Sequence, residues 1–80
     1  VVLSKRAAVL RNYEDECYQI CYYLLQQESL ALKAASKVVY DLFLDELFFD
    51  RDQDRQRKLM QHAAIKAALS VSSIASFAPA

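Results

Sequence analysis

A chain of 80 residues with no glycine and a single proline has few ways to turn. Positive backbone φ angles are cheap only for glycine, and tight hairpins and crossover loops depend on them. Without glycine, a sheet built on such turns is hard to close, whereas helices joined by short polar breaks need none. Phosphate loops built on glycine, including the Walker and dinucleotide fingerprints, are excluded as well. Apolar residues make up 55% of the chain, so it has the material for a core and is not a disordered tail. The expectation is an all-α fold, a compact three-helix bundle in one domain over residues 1–80.

Periodicity places the helices at about residues 4–25, 30–49 and 54–76. The first carries a stripe of Leu10, Tyr13, Cys17, Ile20 and Leu24, widened by Ala7, Cys21 and Leu25. Ser4 is its expected cap, and Asn12 before Glu14-Asp15-Glu16 offers a second start. Gln26 to Ser29 is the break, with Ser29 capping the next helix. The second helix shows Ala31, Ala34, Ala35, Val38 and Leu42 as a narrow, smooth face, flanked by the bulkier Val39, Phe43 and Leu47. Its acids Asp41, Asp45 and Glu46 crowd the C-terminal end, where the helix dipole is itself negative. Either a basic partner or the following basic segment must offset them. The third helix, capped by Asp52 or Asp54, presents Leu59, Met60, Ala63, Ala64, Ala67, Ala68, Val71 and Ile74.

Charge sets the function classes. Ten basic and ten acidic residues cancel, which argues against affinity for nucleic acid from bulk positive charge. The balance is not local. Six acids lie between Asp41 and Asp54, and Arg55, Arg57 and Lys58 follow. With His62 and Lys66 these form the candidate nucleic-acid-binding set, because Lys58, His62 and Lys66 recur every four residues on one helix face. The plainer reading is that they neutralise the acids upstream. Aromatics gather at Tyr13, Tyr18, Tyr22 and Tyr23 and at Phe43, Phe48 and Phe49, a pattern that suits core or interface more than base stacking.

No nucleophile is paired with an evident base, so the chain is not expected to be an enzyme. No cofactor is implied. Cys17 and Cys21 are four apart, poorly placed for a disulfide and best read as small core residues rather than metal ligands. Only His62 is available as a third ligand, and no metal site is expected. Reduced thiols fit the cytoplasm. The N-terminal residues lack the apolar stretch of a signal peptide. The stretch from Ala63 to Ala80 is interrupted by Lys66 and four serines, so no membrane association is expected.

The order of segments resembles region 2 of the bacterial sigma factors, particularly the extracytoplasmic-function group. That family closes its first helix and opens its second with a phrase like Y-x-x-C-Y-x-L-L-G-D-E-E-L-A-E-D-A-V-Q-E-x-F-L-x-L-W. This chain has Tyr18, Cys21, Tyr22, Leu24 and Leu25, then Leu30, Ala31 and onward to Leu42 and Phe43. Leu59 to Leu69 is similar to the family's W-L-Y-R-I-A-R-N-L-A-L helix. The resemblance covers roughly residues 10 to 72 and is largely apolar spacing. It implies a role in transcription through protein contacts, with RNA polymerase or a sigma regulator as partner. The departures are specific. Lys33, Ser36 and Lys37 stand where the family's D-A-V-Q-E positions engage the polymerase clamp. Ala64, Ile65 and Lys66 stand at the positions tied to promoter contact, and the chain has no tryptophan. Retained scaffold with eroded DNA contact is what this pattern implies. The candidate partner-binding residues are Lys33, Ser36, Lys37, Asp41, Phe43, Phe48 and Phe49. The alternative is a homodimeric helical protein unrelated to transcription, held by self-association through those phenylalanines.

Overall fold

The structure is a computed structural model that describes the backbone of residues 2–77 and the side chains of residues 5–72. Every regular element among them is helical: α1 (Val2–Leu25), α2 (Glu28–Leu44), α3 (Glu46–Phe49) and α4 (Gln53–Phe77). The all-α expectation holds, but the helices number four among the described residues rather than three. The molecule is elongated, 46 × 22 × 18 Å. α1 and α2 form an antiparallel hairpin. Tyr13 reaches Gln56 and Cys21 reaches Ala64, so positions on α1 and α4 climb together and these two helices run parallel.

The extra helix comes from the expected second one, which stops at Leu44 instead of continuing to Phe49. Asp45 leaves the helical region at φ −88° and ψ 101°, and its side chain accepts the Leu47 N–H at 3.1 Å. It ends one helix and caps the next. An aspartate at the negative end of a helix is unfavourable; the same residue at the N-cap of a following turn is favoured. The break thus relieves the crowding of acids that the sequence shows. What remains at the α2 terminus is offset from α1. The Arg6 guanidinium donates to the Phe43 carbonyl at 3.0 Å and lies 4.9 Å from the Phe49 ring centre.

Helix starts also differ from expectation. α1 is already helical at Val2, before Ser4, and runs unbroken through Asn12. α2 starts at Glu28, with Ser29 inside it. Asp52, not Asp54, caps α4 by accepting the Arg55 N–H at 2.8 Å.

The turn between α1 and α2 shows what a chain without glycine must do. Gln26 takes the left-handed conformation at φ 59°, the position glycine usually fills at a helix C-terminus. Its N–H bonds the Tyr22 carbonyl at 2.7 Å, and its side-chain amide donates to the Tyr23 carbonyl, also at 2.7 Å. A residue with a Cβ in this region is strained by about 1–2 kcal/mol, partly offset here by the exposed side-chain bond. Gln26→Gly is therefore expected to raise stability by about 0.5–1 kcal/mol, seen as a higher urea midpoint. A lowered midpoint would show that the side-chain bond outweighs the strain.

The core lies between the three long helices. The alanine face of α2 is buried as expected: Ala31, Ala34, Ala35, Val38 and Leu42 all face inward. Leu10, Tyr13, Cys17 and Cys21 meet it from α1, and Met60, Ala64, Ala67 and Ala68 from α4. Small side chains on two of three helices allow close approach and dense packing. Ile20 and Leu25 pack at the margin, whereas Leu24, Leu47 and Leu59 are exposed. Ile74 lies outside the described side chains. One polar residue is buried with the apolar set. Gln56 accepts from the Tyr13 hydroxyl at 3.0 Å and donates to the Phe48 carbonyl at 3.2 Å, tying α1, α3 and α4 together.

Candidate protein-docking surface

Two faces of α2 carry the functional argument, because helical geometry sends its inner face to the core and its outer face to solvent. The outer side chains fall in two rows, each with a spacing of four. Leu32, Ser36, Tyr40 and Leu44 form one row, and Lys33, Lys37 and Asp41 the other. All seven are exposed. Leu32 is 56%, Tyr40 64% and Leu44 57% accessible, unusual for large apolar side chains so close together. Lys37 Nζ and Asp41 Oδ2 lie 3.3 Å apart, the i,i+4 pair expected from the sequence. Both ends are solvated, so the pair contributes no more than a few tenths of a kcal/mol.

Beside the first row, α1 and α2 leave an open groove of about 780 Å³. Its floor is apolar, with Ala7, Leu10, Ala35, Val39 and Phe43. Its α1 rim is charged: Arg11, Glu14 and Asp15. Leu32, Ser36 and Tyr40 belong both to the groove and to the exposed row, so groove and outer face are continuous.

The candidate partner residues therefore divide. Lys33, Ser36, Lys37 and Asp41 share the outer face, and Phe43 sits half-buried in the groove. Phe48 does not belong to the surface. It is fully buried, edge-on to Tyr13 with ring centres 6.2 Å apart and to Phe49 at 5.1 Å. α3 turns it inward as the anchor of that single helical turn, which a continuous helix through Phe49 would not do. Phe49 is half-buried beneath Arg6 and does not line the groove.

The candidate phosphate-contacting residues are all exposed on α4, but they are not equivalent. Arg57 Nε lies 3.6 Å from Glu16 Oε1, and Gln61 donates to the other oxygen of that carboxylate at 3.1 Å. Arg57 thus bridges α4 to α1 and neutralises an acid on α1 rather than those between Asp41 and Asp54. Lys58, His62 and Lys66 form the expected row of four-residue spacing. Beside it is a shallow depression lined by His62, Ala63, Ile65, Lys66 and Leu69, whose exposed isoleucine and leucine are no phosphate contacts.

Cys17 and Cys21 are free and fully buried, as core residues. Burial, reinforced by the neighbouring Cys21, pushes the Cys17 thiol up to about 12. Burial also raises Cys21, whose Sγ donates to the Ala64 carbonyl at 3.8 Å. The Tyr13 phenol is raised by the same cause. All three are held in their neutral, unreactive forms. Among the described residues, no three His, Cys, Asp or Glu side chains gather into a metal-binding group, and no helix is long and apolar enough to cross a membrane.

Sequence reasoning gave no joining role to Arg6, Glu16 or Gln56, three of the residues that join the helices. Gln56 had a signal: it stands four residues before Met60, on the inward register of α4. Arg6 and Glu16 had none, since their partners are distant in sequence. Comparison of the chain with protein-family models, with curated proteins and with solved structures finds no match.

Proposed function

We propose that this chain is a non-enzymatic helical domain acting through protein–protein contacts, docked by the outer face of α2 and the groove it shares with α1. The observation that carries the reading is the exposed row of Leu32, Tyr40 and Leu44 continuous with an apolar groove. Interfaces are built from such apolar and aromatic centres with a charged rim, here supplied by Lys33, Lys37 and Asp41. The neutral, buried thiols and phenol fit a domain without a reactive centre.

The sigma-region-2-like arrangement belongs to the same proposal and rests on the order of segments between about residues 10 and 72. On that basis the partner is RNA polymerase or a sigma regulator, and the place of action is the cytoplasm. Promoter DNA has a minor part in this reading. Arg57 is engaged with Glu16, and the α4 row has apolar neighbours.

Binding to purified RNA polymerase and to a fork-shaped promoter DNA, each at two salt concentrations, tests it. The expected result is polymerase binding that weakens at least 30-fold, about 2 kcal/mol, in Tyr40→Asp. Reversal of Lys33 and Lys37 to Glu is expected to weaken it further, with little binding to DNA alone. Salt-sensitive DNA binding without polymerase binding would move the function to α4. Binding to neither would remove the link to transcription.

A further inference from the structure

We infer that the α1/α2 face docks a second copy of this chain, in a two-fold dimer with α1 antiparallel to α1 and α2 antiparallel to α2. The inference rests on the reading of that face as a protein-docking surface and places a second copy on it in the free chain, to be displaced when another protein docks there. The charge pattern of α1 is self-complementary. Along the exposed edge of α1, Arg11 is followed one turn later by Glu14 and Asp15. A helical edge that runs positive then negative is complementary to itself only when the second copy runs the other way. Two-fold symmetry imposes that arrangement, setting Arg11 of each copy against Asp15 of the other.

Among the described residues, none of Arg11, Glu14 and Asp15 has an ion-pair partner within the chain, so these charges are available. The hairpin levels Tyr40 with the middle of this charged stretch, so the same axis brings the two Tyr40 rings together. Leu32 and Leu44, one on either side of Tyr40, then close over the facing grooves.

Sedimentation equilibrium on the full chain tests the inference. Wild type is expected to be a dimer. Arg11→Glu alone and Asp15→Arg alone each set like charges together twice, and both should weaken self-association at least tenfold. Mixing the two variants restores opposite charges at both contacts, so a heterodimer should form at wild-type strength. A pair confined to one chain cannot produce that rescue. Both sites are exposed, and helical circular dichroism melts check that each variant is folded. A wild-type monomer, or a dimer indifferent to these changes, would overturn the inference. Polymerase binding by a monomer that Tyr40→Asp abolishes would still leave the docking reading intact.

Discussion

Replacing Phe48 by alanine is expected to cost about 3–5 kcal/mol, the range for deleting a fully buried aromatic side chain. For a domain of 80 residues, total stability is on the order of 4–12 kcal/mol, so this one change brings the fold close to its threshold. Phe48 is fully buried and packs edge-on against Tyr13 and Phe49. It is also the only buried side chain of α3, a helix of four residues that cannot persist without tertiary support. Losing the ring leaves a cavity between α1 and α4 and releases α3 itself. Urea unfolding followed by circular dichroism should show a large drop in midpoint. Phe48→Leu, which refills part of the space, should recover more than half of the loss. Equal midpoints for wild type and Phe48→Ala would mean that α3 does not seal the core.

The second large effect concerns the buried polar bridge. Gln56→Ala removes the acceptor of the Tyr13 hydroxyl and the donor to the Phe48 carbonyl, which then keeps the Arg51 N–H at 3.3 Å. An unsatisfied buried group costs about 1–3 kcal/mol, and the lost packing adds to it, so a total of about 2–4 kcal/mol is expected. The Tyr13 hydroxyl has a longer contact to the Gln53 carbonyl at 3.4 Å, which moderates the loss on that side. Tyr13→Phe alone should cost about 1 kcal/mol, the net value of one hydrogen bond. In the double variant the two losses should fall short of additivity by at least 0.5 kcal/mol, because Tyr13→Phe removes the hydroxyl that Gln56→Ala strands. Strict additivity would show that the two residues do not act together.

How much of this was legible in the sequence differs by element. The inner face of α2 was fully legible, because five small or branched apolar residues at helical spacing admit one packing. The burial of Cys17 and Cys21 followed from the same periodicity on α1. The break at Asp45 was not, although its cause was visible in the crowding of acids. Periodicity runs on through Leu47 and Phe48, and only the capping bond to Leu47 shows where the helix gives way. That break carried Phe48 from the expected surface to the core. The outer face of α2 was legible as residues but not as a site. Lys33, Ser36 and Lys37 drew attention through the sigma-factor resemblance and Asp41 by charge, while Leu32, Tyr40 and Leu44 lacked the inward register that marks apolar residues. The absence of glycine pointed to helices, and its local consequence, a strained Gln26, emerged only with the backbone.

The central claim is that the outer face of α2 is a protein interface, and the reactivity of two tyrosines tests it most directly. Tyr40 on that face is 64% exposed, and Tyr23, on α1 away from the groove, is 77% exposed. Iodination of the dilute chain should modify both at comparable rates, with Tyr23 as the internal reference. As the chain is concentrated into the proposed dimer, Tyr40 should become protected at least tenfold relative to Tyr23. A constant ratio of the two rates under conditions where association is complete would contradict the account.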